Sequence, residues 1–393
     1  MSGSVSGVRG HCDERFAAVR DAFEENFRER DELGAAVCVM VGGERVVDLW
    51  GGWADGARSR AWERDTLVNV WSTTKGATAL CAHLLMDRGL LDPDAPVAAY
   101  WPEFAAAGKG VRVRHLLSHR AGLAGLREPH SAEELYDWEL TTSRLAATEP
   151  WWEPGTRSGY HALTYGFLVG EVIRRITGRL PSAFLREEVT GPLGVDFSIG
   201  LPEKDADRAA ELIPPPAMTP AEQSARLAEL TPVALAALLN PPVGAGTANT
   251  AAWRAAEIPA ANGHGTARSV AALYGIFAGR GEYGGHRVLS ADAVERVREG
   301  QGSCRDLVLG AGFPHETQAG LGLWLSGPNG SYGPNPRAYG HDGFGGSCGL
   351  ADPDAGIAMG YVMNRMGPNI ADDPRKMALV CGVYAAVGRW ACF

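Results

Sequence analysis

The sequence has no apolar run long enough to cross a membrane, no CxxC pair and no surplus of positive charge. A membrane-spanning helix needs about 20 consecutive apolar residues, and the Gly- and Ser-rich stretch 1–11 lacks the apolar core of a secretory signal. The formal net charge is −9, whereas nucleic acids and anionic membranes attract clustered cations. These absences predict a cytoplasmic protein that binds neither nucleic acid nor membrane.

The cysteines do not form a recognisable pattern. There are seven, an odd number, and they are scattered from Cys12 to Cys392. Such spacing is typical of reduced thiols and gives no sign of a disulfide framework. The length of 393 residues and the hydrophobic content of 45% are enough for one large domain or two moderate ones.

Secondary-structure signals are strongest at the two ends of the chain. Helical spacing of apolar residues predicts a helix over 13–29, and β-branched runs at 37–41 and 46–50 predict two strands joined by a Gly-Gly turn. Further helices are predicted from 72 to a stop at Gly89 and over 162–177. The last helix should begin with Asp373 as cap and Pro374 at its first position, and end near 387. Strand candidates near the carboxyl end are 321–325, 338–341, 347–351 and 357–363.

These elements indicate an α/β (α+β) fold. Strands that follow one another by hairpins favour an antiparallel sheet, which the two terminal helices would cover. Residues 1–90 and 263–393 would form this α/β sheet domain. The Pro-rich stretch 91–262 would form an inserted, mainly helical domain, and the cleft between the two would hold a site.

The first candidate for catalysis is Ser72-Thr73-Thr74-Lys75 at the start of a helix. The i, i+3 spacing puts the hydroxyl and the amine on one helix face, and the helix amino terminus stabilises a developing alkoxide. A helix-capping serine with a surface lysine explains most SxxK tetrapeptides. Here, however, Ser72 follows the mostly apolar run 67–71, an unusual place for a plain surface cap.

Two further motifs follow Ser72 and Lys75 along the chain. A turn at Pro154-Gly155 delivers Tyr160 just ahead of the 162–177 helix, and Gly340-His341-Asp342-Gly343 lies on a late strand candidate. Together with the HLLSHRAGL segment at 115–123, they resemble the serine β-lactamase and penicillin-binding-protein superfamily over nearly the whole chain. The branch they resemble comprises class C β-lactamases and family VIII carboxylesterases.

The resemblance implies a role for each matching residue. Ser72 would be the acylated nucleophile, Lys75 its proton partner, and Tyr160 a phenolate-type base that activates the serine and later water. The backbone N–H groups of Ser72 and Phe344 would form the oxyanion hole. His341 and Gly343 take the first and third places of the family's Lys-Thr-Gly strand.

Two departures from the family pattern bear on the substrate. Tyr-Ser-Asn reads Tyr160-His161-Ala162, so the amide that contacts a β-lactam side chain is missing, and His341 replaces a permanent cation suited to a substrate carboxylate. We therefore expect a serine hydrolase without metal or cofactor that cleaves small or medium uncharged carboxylic esters, with weak β-lactamase activity at most. An acyltransferase using the same acyl-enzyme and an inactive binding protein are the alternatives. The sequence leaves the oligomeric state open.

Other signals have plainer explanations. Gly345-Gly346-Ser347-Cys348-Gly349 matches the GxSxG nucleophile elbow, but that motif needs a strand, a turn and a helix, whereas Ser347 enters a strand. His115 and His119 have i, i+4 spacing, yet no third zinc ligand accompanies them.

Three more side chains are candidates for contact with the substrate. His161 neighbours the proposed base and is a candidate for substrate contact. Trp152, with Trp151, is a candidate wall of an acyl pocket, although aromatic residues are more often core.

Overall fold

The structure is a computed structural model that describes residues 7–107, 110–310 and 317–389. Within these ranges, no helix combines the length and the apolar character needed to cross a membrane.

A seven-stranded antiparallel sheet forms the centre of the described part of the chain. Its order is β1-β3-β2-β14-β13-β12-β11, so the first and last thirds of the chain pair through β2 and β14. The strand bounds are β1 Arg9–Cys12, β2 Gly34–Val41, β3 Glu44–Gly52, β11 Trp324–Leu325, β12 Tyr339–Asp342, β13 Cys348–Asp352 and β14 Ile357–Met363. β14 is buried along its whole length, as expected of a central strand covered on both faces.

Three helices cover the sheet. The terminal helices α1 (Ala17–Glu29) and α14 (Pro374–Ala386), both predicted, pack on each other, and Asp373 caps α14 through the N–H of Arg375, as predicted. The third helix, α12 (Ala267–Ala278), was not predicted. It packs directly on β14, where Gly360 has no side chain to keep the helix backbone away. The sequence interpretation overlooked α12, and therefore covered the sheet with the two terminal helices alone.

The middle of the chain is mainly helical. Its helices are α3 Val113–Leu117, α4 Ala132–Leu135, α5 Trp138–Ala147, α6 Thr164–Thr177, α7 Pro181–Leu185, α8 Pro220–Glu229, α9 Pro232–Leu238, α10 Ala245–Ala248 and α11 Ala251–Ala255. A small antiparallel sheet of β4 (Val68–Asn69), β6 (Gly263–Gly265) and β5 (Phe197–Ile199) joins this region to the segment that leads into α2 (Thr74–Asp87). The division at residues 90/91 and 262/263 stays a prediction.

Short elements complete the fold. They are β7 Glu282–Tyr283, β8 His286–Arg287, α13 Ala291–Val297, β9 Ser303–Cys304 and β10 Thr317–Gln318. None of them was predicted. The four strands have two residues each, too few for alternation to be recognised, and the sequence interpretation overlooked α13. Of the predicted strand 321–325, only Trp324–Leu325 is a strand.

The cysteines depart from the prediction at one position. Cys12, Cys38, Cys81 and Cys348 are free thiols. Cys381, on α14, is disulfide-bonded, so the expectation of wholly reduced thiols is wrong there.

Candidate active site

Ser72 lies on a single 3-10 turn, Trp71–Thr73, which leads into α2. Trp71 has a backbone φ of 47°, a left-handed conformation that is uncommon for a bulky residue. The Trp71 ring packs between the rings of Trp253 and Phe344, at centroid distances of 5.5 and 5.7 Å. This packing holds the strained turn, so the serine stands at the amino end of a buried helix.

A second contact supports the turn from behind. The hydroxyl of Ser347 donates to the carbonyl of Val70 at 2.8 Å and lies 3.1 Å from the Thr73 hydroxyl. Ser347 is buried at the entry to β13. Its hydroxyl therefore stabilises the Ser72 turn, and no helix follows it as a nucleophile elbow would require.

The amine of Lys75 is fully buried beside the serine. Its Nζ lies 3.0 Å from Ser72 Oγ and donates to two backbone carbonyls, Ala162 at 2.8 Å and Ala260 at 3.0 Å. Burial lowers the pKa of Lys75 well below its usual value because water no longer solvates the ammonium form. A neutral amine can keep both carbonyl contacts through its two N–H groups and still direct its lone pair at Ser72.

The phenol of Tyr160 approaches the same hydroxyl from the other side. Its Oη donates to Ser72 Oγ at 2.7 Å, and its ring lies 4.8 Å from Lys75 Nζ. Burial raises the pKa of Tyr160, and the charges of Asp306 and Asp342 add to the effect. The resting phenol is therefore protonated. The three side chains singled out in the sequence meet at one point, although 88 residues separate Ser72 from Tyr160.

His341 lies on β12 next to this group. Its ring stacks on Trp324 with 4.6 Å between centroids, and Nδ1 lies 2.7 Å from the carbonyl of Asp342. Burial, with a smaller effect from Lys75, lowers the pKa of His341 to about 3. The residue that replaces the family's strand lysine is thus uncharged at neutral pH.

The end of β12 runs tightly against the serine turn. A Cβ on Gly343 would lie 2.1 Å from Ser347 Oγ and 2.3 Å from the carbonyl oxygen of Val70, so only glycine fits. In the described part of the chain, the N–H groups of Ser72 and Phe344 donate to no acceptor. Both therefore stay available for an oxyanion.

The ring of His161 contacts two backbone groups. The residue is fully buried, its Nε2 accepts from the N–H of Leu123 at 3.1 Å, and its Nδ1 lies 2.7 Å from the carbonyl of Gly159. With both nitrogens engaged, the ring positions the loop before α6, and contact with the substrate stays a prediction. Burial lowers the pKa of His161 to about 4, so the ring is neutral.

Trp152 packs against Gly159, next to the Tyr160 loop, and its ring meets that of His161 at 6.0 Å. This position is compatible with a pocket wall, and that role stays a prediction.

The two histidines of the HLLSHRAGL segment do not form a metal site. His115 lies on α3, which ends at Leu117, whereas His119 lies beyond the helix with a φ of 59°. Their side chains therefore do not share a helix face. Across the ranges that the structure covers, no cluster of three or more His, Cys, Asp or Glu side chains is arranged for a metal ion.

Sequence reasoning missed three contributors to the site. The carbonyl of Ala260, which accepts from Lys75, and the ring of Trp324, which supports His341, carry no sequence signal. Ser347 had a signal in its glycine-rich setting, but the pattern matched a different fold.

The sheet, the helical lobe and the serine at the start of α2 define an α+β protein of the β-lactamase-like class. The family model described as Beta-lactamase matches residues 19–382. The chain therefore belongs to the Beta-lactamase family, which confirms the resemblance found in the sequence.

Individual relatives are similar to this chain over most of its length. The "Esterase/beta-lactamase LipL" of Mycobacterium tuberculosis (strain ATCC 25618 / H37Rv) is 39% identical over 371 residues, covering 91% of this chain and 83% of the relative. A solved family VIII carboxylesterase superposes with a TM-score of 0.90 at 43% identity, covering 97% of this chain and 100% of the other. A penicillin-binding protein homologue from Caulobacter crescentus gives 0.89 at 42%, with the same coverage.

Proposed function

We propose that the protein is a carboxylesterase that forms an acyl-enzyme on Ser72. One observation carries the proposal: the Ser72 hydroxyl lies within hydrogen-bonding distance of both a buried amine and a buried phenol. A nucleophile next to a base and a second proton donor is the arrangement that covalent acyl transfer needs. It also argues against an inactive binding protein, because burying the Lys75 amine is costly and a binding role alone does not explain it.

In acylation, the proton of Ser72 goes to the lone pair of Lys75 while Oγ bonds to the ester carbonyl carbon. The carbonyl oxygen becomes an oxyanion, and the N–H groups of Ser72 and Phe344 stabilise it, each by about 3 kcal/mol. When the tetrahedral intermediate collapses, the C–O bond breaks and the leaving oxygen takes the phenolic proton of Tyr160. Lys75 then returns its proton to the phenolate, so both groups are neutral again.

Deacylation reverses these steps with water in place of the alcohol. The Lys75–Tyr160 pair removes a proton from water as it attacks the acyl carbon, and Ser72 leaves with a proton. An alcohol can enter in the same way, which would make the protein an acyltransferase. No feature of the site favours that alternative over hydrolysis.

The substrate class follows from charge. Neutral His341 offers no cation to a substrate carboxylate, and the walls near Ser72 are the aromatic rings of Phe344, Tyr160 and Trp324. Small or medium uncharged esters fit this site better than the carboxylate-bearing β-lactams. The names of the relatives, esterase/β-lactamase and family VIII carboxylesterase, support an esterase with weak β-lactamase activity.

We also propose that the protein acts in the cytoplasm on small-molecule esters, without nucleic acid or membrane as partner. The free thiols Cys12, Cys38, Cys81 and Cys348 support a reducing compartment. The bonded Cys381 argues against it.

The test combines labelling with kinetics. A fluorophosphonate probe should add its mass to the peptide that contains Ser72 and not to that of Ser347, and Ser72→Ala should lose at least about 1,000-fold in kcat on p-nitrophenyl butyrate. Ser143→Ala, which removes an exposed hydroxyl of α5, is the matched control and should keep its labelling at Ser72. Wild type should cleave p-nitrophenyl butyrate faster than benzylpenicillin. Faster cleavage of the penicillin, or labelling of Ser347, would overturn the proposal.

A further inference from the structure

Asp306 is a buried carboxylate that the mechanism above does not use. It is 4% exposed and lies between α13 and the end of the described range at 310. Its Oδ1 accepts three backbone N–H groups, from Tyr160 at 3.0 Å, Val308 at 2.8 Å and Leu309 at 2.9 Å. One oxygen therefore ties its own loop to the main chain of the proposed proton donor.

A second hydrogen bond joins the same two segments of the chain. The carbonyl of Ser158 accepts from the N–H of Leu307 at 2.9 Å, and Ser158 and Asp306 form a parallel bridge. The two segments are thus joined on both sides of Gly159. The ring of Tyr160 is held separately, by packing against His119 at 5.0 Å and Trp324 at 5.3 Å.

The carboxylate is costly to bury, since no Lys, Arg or His in the described ranges forms an ion pair with it. Burial raises the pKa of Asp306, and the three N–H groups oppose that effect. Because Oδ1 accepts all three bonds at once, a residue without an oxygen here would leave three buried donors unpaired. We expect such a buried carboxylate where the main chain must be held in a fixed position.

We propose that Asp306 is a positioning residue for leaving-group protonation: it fixes the main chain at Tyr160 so that the phenol reaches the departing oxygen. The proposal rests on the proposed function. In the step concerned, the C–O bond breaks, its electron pair goes to the leaving oxygen, and the phenolic proton of Tyr160 follows. A p-nitrophenolate leaves without that proton, whereas an alkoxide needs it.

This difference between leaving groups gives the experiment. We would measure kcat/KM, which reports acylation, on p-nitrophenyl butyrate and ethyl butyrate for wild type and for Asp306→Ala, Asp306→Asn, Tyr160→Phe and the Asp306→Ala/Tyr160→Phe double variant. Asp306→Ala should lose about 10- to 100-fold more on the ethyl ester than on the p-nitrophenyl ester. Asp306→Asn should recover most of the loss, because its amide oxygen accepts the same N–H groups.

The double variant separates positioning from plain stability. If Asp306 acts through Tyr160, the double variant should be no slower than Tyr160→Phe alone. The control is Asp352→Ala, which removes a fully buried carboxylate that accepts the N–H groups of Asp354 and Ala355 in the β13–β14 hairpin. It should lower stability and leave the ratio of the two esters unchanged.

Equal losses on both esters, or additive effects in the double variant, would overturn the role of Asp306. If Asp306→Ala does not fold, Asp306→Glu keeps the charge, displaces the acceptor oxygen by one methylene and should give the same selective loss on the ethyl ester. A wild-type protein inactive on both esters would instead overturn the proposed function.

Discussion

At the scale of single residues, the protonation state of Lys75 decides whether Ser72 can be activated. An ordinary lysine has a pKa near 10.5 and is almost wholly protonated at neutral pH. Burial lowers the pKa of Lys75 well below that value, because desolvation destabilises the charged form. The same burial raises the pKa of Tyr160, so the two shifts favour a neutral amine and a neutral phenol at rest. The lysine rather than a standing phenolate therefore takes the first proton.

The pH dependence of the rate tests this assignment. Protonated Lys75 cannot accept the serine proton, so kcat/KM should rise with pH along a limb well below pH 10.5. Lys75→Arg should lose at least about 100-fold in kcat at every pH, since a guanidinium stays protonated. A limb centred near 10.5, or an active Lys75→Arg, would contradict the role of the amine. The measurement is initial rate against pH on p-nitrophenyl butyrate.

At the scale of elements, the site depends on how closely β12 passes the serine turn. Gly343→Ala should push the strand away from that turn, because the new Cβ would meet the Val70 carbonyl, which is backbone and cannot rotate aside. The Phe344 N–H moves with the strand. We expect kcat on p-nitrophenyl butyrate to fall by about 100- to 1,000-fold, the usual cost of an oxyanion donor.

Gly246→Ala in α10 is the matched control for that substitution, because a Cβ there meets nothing within 4 Å. It should keep wild-type kcat. If Gly343→Ala also kept it, the close contact between β12 and the turn would not be needed for catalysis.

The start of α14 anchors β12 and the turn that follows it. Arg375 donates to the Gly345 carbonyl at 2.7 Å, and Lys376 pairs with Asp342 at 3.0 Å. Two cations in the first turn of a helix oppose its dipole. Their position is stable because buried carboxylates face them, Glu32 and Asp373 opposite Arg375 and Asp342 opposite Lys376.

At the scale of the whole molecule, Arg375 joins parts of the chain that are distant in sequence. Its guanidinium contacts Glu32 after α1, Asp373 before α14 and the carbonyl of Arg365 beyond β14. Tyr361 on β14 donates to the same Glu32. The segment after α1 and the start of α14 are therefore held to the sheet by one buried network.

Removing one partner of that network should be costly. Arg375→Met leaves the buried Glu32 and Asp373 without their cation, and we expect the free energy of unfolding to fall by about 3–5 kcal/mol in urea titrations. Arg337→Met, which removes a half-exposed arginine paired with Glu295, should cost less than about 1 kcal/mol. Similar losses in the two variants would show that the buried network adds nothing beyond a surface pair.

Local patterns in the sequence were enough to predict the elements with strong periodicity. The strands β2, β3 and β14, the helices α2 and α6 and the cap of α14 lie within a few residues of their predicted bounds. Ser72 and Lys75 could be paired by spacing alone, because one helical turn separates them. Tyr160 could be chosen only through the order of motifs in the family.

The tertiary structure alone decided the rest. The two-residue strands have their place because the surrounding chain pairs with them, and no local pattern encodes that. α12 differs, because the capping Thr266 before it was a local signal that the sequence interpretation overlooked. Folding placed both ring nitrogens of His161 against backbone groups, and brought the N–H of Tyr160 to Asp306 across 146 residues. Hydrogen bonds, packing and pKa shifts depend on which distant groups exclude water from a side chain. For that reason the sequence determined which groups could react, and the fold determined their protonation and what holds them in reach.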